Sequence, residues 1–182
     1  MTPTGTGLAV QVEHRYSTTA VPAPPQRITA LGQTDLDPVA ALGAVPIAVG
    51  SLIGSSCSLL RPWNSDRLPA EPTLLNMQEI EFEKLAALQP DLILAVMSGI
   101  TKGDYGKLSA IAPTIAQPKD YGDWAVPYRP HTEIIGAALG RPAEAAALID
   151  DLDRSFAAVR AEHVLARMAA TTICSTPSTG AC

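Results

Sequence analysis

Residues 91–97 read Asp-Leu-Ile-Leu-Ala-Val-Met, a continuous apolar run of strand length that begins at an acidic residue just after Pro90. An apolar run that does not alternate suits a strand covered on both faces, as in a parallel sheet. Directly before it, Phe82–Leu88 carries a helical pattern, and directly after it Asp104–Ile111 carries another. A short strand is then expected at Thr114–Gln117 and a further helix at His131–Leu139, with an irregular stretch from Pro118 to Pro130 between them.

The same alternation runs towards the amino terminus. Arg27–Leu31 reads as a first strand ended by Gly32, and Asp35–Leu42 as a short helix with Thr34 or Asp35 as its N-cap and Gly43 past its end. Pro46–Gly50 reads as a second strand, followed by a long Ser-, Pro- and Asn-rich loop from Leu52 to Gln78. Strands alternating with helices in this way imply right-handed crossovers and a parallel sheet. The expected fold is α/β: a Rossmann-like lobe with a central, mostly parallel sheet of four to five strands, followed by a long connecting helix. That helix runs from Pro142 to His163, with Leu148, Leu152, Phe156 and Val159 as its apolar stripe. About 20 residues of helix span ~30 Å, enough to act as a strut. Met168–Cys182 is small, polar and aperiodic.

Composition narrows the function classes. Hydrophobic residues make up 47% and charged residues 17%, which fits a globular chain. The formal net charge of −5 and the lack of a Lys/Arg-rich run speak against nucleic acid as a partner. No apolar stretch approaches the ~20 residues of a membrane-spanning helix. Met1–Val10 has neither a basic start nor an apolar core, so no signal peptide is legible. Cys57, Cys174 and Cys182 are scattered without CxxC spacing and imply neither a zinc site nor a disulfide framework.

In an open parallel sheet, ligands bind at the carboxyl ends of the strands, so the loops at that rim are the ones to inspect. They hold Arg61, Trp63 and Asn64 after the second strand; Ser98, Gly99 and Tyr105 after the third; and Tyr121, Trp124, Tyr128 and Arg129 after the fourth. Five of the chain's few aromatic rings gather there. Rings beside arginines suit a flat, anionic or conjugated ligand, although any one ring could equally anchor its loop. Catalytic signatures are missing: no GxGxxG after the first strand, no phosphate-binding loop, no nucleophile elbow, and His14, His131 and His163 stand apart. No catalytic residue, metal site or cofactor is expected. Asp35 and Asp37 read as helix caps. Glu79, Glu81 and Glu83 read as dipole compensation, or as a docking point for basic residues of a partner.

Several segments, in order, resemble ferric-siderophore, heme and vitamin B12 binding proteins of ABC importers. Val21-Pro22 through Gln26–Gly32 resembles their opening motif, and Asp35–Val49 (DLDPVAALGAVPIAV) the stretch that follows it. Glu81–Ala95 (EFEKLAALQPDLILA) and Leu108–Gln117 (LSAIAPTIAQ) resemble two later motifs, and the long helix falls in its place. The resemblance implies a two-lobed, extracytoplasmic protein that carries an iron chelate to a membrane permease. It further implies that Glu83 docks on the ABC permease, and that Arg61, Trp63, Tyr105, Tyr121, Trp124 and Arg129 contact the chelate. On this reading residues 1–26 are an amino-terminal extension, 27–140 the amino-terminal lobe, 141–163 the interlobe helix and 164–182 an irregular tail. The family's second lobe is expected after the helix, yet Val164–Cys182 resembles nothing in it, and a truncated or frame-shifted reading frame is expected. The alternatives are a remnant that binds nothing, or a metal-chelatase-like protein on the same type of sheet; the latter would need a histidine or carboxylate pair in the cleft.

Overall fold

The computed structural model describes residues 9–52, 62–69 and 71–162. A five-stranded, fully parallel sheet forms its centre, built from β3 (Ile28–Ala30), β4 (Ala48–Ser51), β5 (Thr73–Asn76), β6 (Leu92–Ala95) and β7 (Thr114–Ala116) in the order β5-β4-β3-β6-β7. Every residue of β3, β4, β6 and β7 is buried, as expected of strands covered on both faces. The expected α/β sheet is therefore present, at five strands. The fifth, β5, lies inside the stretch read as loop between Leu52 and Gln78. It is an edge strand in which only Leu75 is buried and Asn76 is exposed, so its sequence lacks the continuous apolar signature of β6.

Helices cover both faces. On one, Leu85 of α2 (Phe82–Ala87) and Leu108 of α3 (Lys102–Ser109) join Leu31, Ala48, Ile93, Ala95 and Ala116 in one core cluster. On the other, Leu36 and Ala40 of α1 (Leu36–Ala41) pack with Val49 and Leu68, and α1 lies beside α4 (Tyr128–Ala138). α3 starts with a full capping box: Thr101 Oγ1 accepts from the Asp104 N–H while the Asp104 carboxylate accepts from the Thr101 N–H. α4 begins three residues before the expected His131, so Tyr128 and Arg129 sit in its first turn rather than in the preceding loop. Pro130 is tolerated there because first-turn amides have no partner within the helix.

Residues read as an amino-terminal extension carry a small antiparallel pair, β1 (Val10–Glu13) with β2 (Thr18–Val21), in the register Val10↔Val21 to Glu13↔Thr18. Its buried residues bind it to the sheet. The Thr19 hydroxyl donates to the Thr114 carbonyl of β7 over 2.7 Å, and the Arg15 amide donates to the Gln117 carbonyl over 2.9 Å. Two sets of contacts fix how the chain enters β3. Both Asp91 carboxylate oxygens accept from the backbone N–H groups of Gln26 and Arg27, at 2.8 Å each. The Arg27 guanidinium in turn donates to the carbonyls of Leu88 and Gln89, closing the carboxyl end of α2.

The chain divides into two compact units at Ala146/Ala147. The second contains most of α5 (Pro142–Glu162), in which Leu148 and Leu152 are half-buried while Phe156 and Val159 are exposed. The tail read at 164–182 lies outside the described residues.

Candidate functional site

Because all five strands are parallel, their carboxyl ends share one edge. The chain leaves β3 first to one side (β4, β5) and then crosses to the other (β6, β7), so the switch point lies between the loops after β3 and β6. Asp35 sits at that point and is fully buried. Its Oδ2 accepts from the N–H groups of Gly32 (3.1 Å) and Val96 (2.9 Å), and its Oδ1 from the Met97 N–H (3.1 Å) and from His131 Nε2 (2.8 Å). The carboxylate makes no side-chain cap to α1, so the expected capping role is corrected: Asp35 binds together the loops after β3 and β6 and the first turn of α4. Glycine is required at position 32, where a β-carbon would overlap that carboxylate. With all four of its acceptor directions filled and the group fully buried, the Asp35 carboxylate has no lone pair left for a metal or substrate. Among the described residues, no group of three or more His, Cys, Asp and Glu is placed to hold a metal ion.

Above this knot stand the rim side chains. The Trp124 indole lies against Gly99 so closely that a β-carbon there would come within 2.7 Å of Nε1. Gly99 has φ +60°, and Trp124 itself has φ +63°, a conformation non-glycine residues adopt rarely. Trp124 is nonetheless 41% exposed. Trp63, 64% exposed, donates from Nε1 to Asp37 Oδ1 over 2.9 Å, and Asn64 Nδ2 donates to the same oxygen. Asp37 therefore holds the loop that carries Trp63, a role its reading as a cap did not include. Tyr121 is half-buried and Arg129 exposed. Tyr105 behaves as an anchor: its ring packs edge-on to His14 (5.1 Å between centroids) and tilted against Tyr16 (5.3 Å), and joins the main core cluster. Arg61 lies outside the described residues.

Sequence reasoning missed the residues that hold this rim from the amino-terminal side. Arg15 Nη1 donates to Asp123 Oδ1 and Nη2 to the Tyr121 carbonyl, both at 2.6 Å, while the Tyr16 hydroxyl donates to the Ile100 carbonyl at 2.6 Å. Gln117 Nε2 donates to the same Asp123 oxygen over 2.6 Å. Nothing local in the sequence announces these pairs, since Arg15 and Asp123 are separated by 108 positions.

The acidic group resolves into unlike members. Glu81 folds back on its own neighbourhood, accepting from the Asn76 N–H and pairing with Lys84. The Asn76 hydrogen bond, followed by Lys84, holds its carboxyl below the usual value. Glu83 is exposed in the first turn of α2 and stays out of that pairing. Because Glu81 is bonded to the end of β5, this turn lies at the same edge of the sheet as the rim loops.

The family described as periplasmic binding protein matches residues 28–171. The Fe(3+) dicitrate-binding periplasmic protein FecB of Escherichia coli (strain K12) is 32% identical over 113 residues, which is 59% of this chain and 35% of that protein. A periplasmic solute binding protein from Mycobacterium smegmatis str. MC2 155 superposes with a TM-score of 0.79 at 39% identity, covering 85% of this chain and 55% of its own. PiaA of Streptococcus pneumoniae TIGR4, solved in complex with ferrichrome, superposes at 0.74 with 29% identity, covering 85% and 52%. The chain thus spans about half the length of these solved relatives. With the match running from β3 into and beyond α5, over a parallel sheet of this order, the chain belongs to the periplasmic binding protein family.

Proposed function

We propose that this chain supplies one wall of a binding cleft for a ferric iron chelate, as the amino-terminal lobe and connecting helix of a solute-binding component that serves an ABC importer outside the cytoplasm. The observation that carries the reading is the pair of exposed tryptophans at the carboxyl rim: Trp124 on the loop after β7, packed on Gly99, and Trp63 on the loop after β4, held by Asp37. Rings fixed by their own loops lose little freedom when a flat, conjugated chelate stacks on them. Arg129, exposed at the same rim, adds a charge suited to an anionic complex, and Tyr121 borders it. Two relatives carry iron chelates in their names, one binding ferric dicitrate and one solved with ferrichrome. The role is carriage, without catalysis. Among the described residues no helix is long and apolar enough to cross a membrane, and transport would require a permease. Glu83, exposed at the rim-side end of α2, is the proposed contact for basic residues of that permease.

The test is a fluorescence titration with ferric dicitrate, ferrichrome, a catecholate chelate and heme. Both tryptophans lie on the rim, so a bound chelate quenches emission with a saturable curve. One wall leaves much of a ligand in water, so a weak affinity is expected for this chain alone. Lack of response to all four would leave the remnant reading.

A further inference from the structure

We infer that Arg15, in the turn between β1 and β2, is a positioning residue for the binding rim: it sets the place of Trp124 by clamping the residues on its amino-terminal side. This rests on the chelate-binding reading, but the mechanical part stands on geometry alone. One guanidinium bonds two points of the loop after β7, the Asp123 carboxylate and the Tyr121 carbonyl, each at 2.6 Å. The Arg15 amide bonds the start of the same loop at the Gln117 carbonyl, and the Gln117 side-chain amide donates to the same Asp123 oxygen. Gln117 is fully buried, so this end of the clamp is fixed to the core. The next residue along the turn, Tyr16, holds the facing loop through the Ile100 carbonyl.

Trp124 sits where the two held loops meet, immediately after Asp123 and against Gly99. Its positive φ is a conformation that persists only where the surroundings over-determine it. An isolated surface ion pair would do little. Here the guanidinium holds a carboxylate and a carbonyl of one loop at once, the carboxylate oxygen is shared with the side-chain amide of buried Gln117, and the contact adjoins the strained residue, which is where a clamp has leverage. The turn therefore fixes where the loop after β7 stands against the loop after β6, and with it the place of the indole on Gly99.

The experiment uses a Trp63→Phe background, in which Trp124 is the sole tryptophan. Without chelate, Arg15→Ala should red-shift Trp124 emission and raise its accessibility to acrylamide, while far-ultraviolet circular dichroism stays unchanged. Affinity for ferric dicitrate should fall about tenfold, the scale of one lost charge-assisted hydrogen bond. Arg15→Lys, which keeps the charge but loses the fork, should restore only part of both signals. Unchanged emission and acrylamide access in a folded Arg15→Ala chain would overturn the clamp, as would full rescue by lysine. Should Arg15→Ala fail to fold, Asp123→Asn takes its place, and unchanged emission there overturns the proposal equally. A shifted emission, with no ferric dicitrate response even in the chain that keeps Trp63, supports the clamp and counts against the chelate reading alone.

Discussion

His131 Nε2 meets Asp35 Oδ1 at 2.8 Å with both side chains buried, joining the first turn of α4 to the loop after β3 across 96 positions of sequence. The same carboxylate accepts three backbone amides, so the two residues do unequal work. Asp35→Asn replaces an acceptor by an NH2 group facing those amides and should destabilise the lobe by about 3–5 kcal/mol. His131→Ala leaves the amides paired and should remove about 1.5–3 kcal/mol. Urea unfolding of the two variants measures the order; equal losses would mean the amides contribute nothing.

Thr29 makes the opposite case. Its hydroxyl is buried in β3 without a hydrogen-bond partner, beside Ala48 and Ile93 in register. Thr29→Val keeps the shape and removes the unpaired group, so stability should rise by about 1 kcal/mol. A melting temperature that falls would show that the hydroxyl is satisfied in solution.

His14 gives a pH dependence. Burial pushes its imidazole below the ordinary value of 6.5. The hydrogen bonds agree: Nδ1 accepts from the Tyr16 amide, leaving Nε2–H to donate to Thr19 Oγ1, so a second ring proton would face a donor. The folded state therefore holds fewer protons than the unfolded state below 6.5. The contribution is complete above that pH, begins to fall as the pH drops through 6.5, and is lost once the depressed folded value is passed. Comparing unfolding free energies of the parent and His14→Gln chains across pH isolates this contribution. A difference that stays flat throughout would remove it.

Glu83→Arg tests docking apart from binding. Uptake of iron from ferric dicitrate by cells that depend on this chain should be lost, while the tryptophan titration is unchanged. Loss of both would make the residue structural, and unchanged uptake would exclude it as the contact.

The parallel sheet was legible because Leu92–Ala95 is apolar without alternation, and because Gly43 and Pro142 punctuate helices where such residues usually do. β5 escaped because an edge strand with half-exposed residues carries no such signature. Asp35 was misread for a different reason. A carboxylate at a helix start is most often a local cap, and its real partners, Val96, Met97 and His131, lie 61 to 96 positions away. The rim tryptophans could be placed by loop alone, while the positive φ of Trp124 and the hold of Arg15 depend on tertiary contacts that no spacing encodes.

The hairpin also decides what the sheet cannot become. A terminal parallel strand offers its outward backbone groups as a template on which another chain can grow a sheet. Along β7 that template is interrupted, since Thr19 occupies the Thr114 carbonyl and the Arg15 turn closes over Gln117. The β1–β2 hairpin thus guards the solubility of the lobe: without it, the edge of β7 would be open to stacking between molecules.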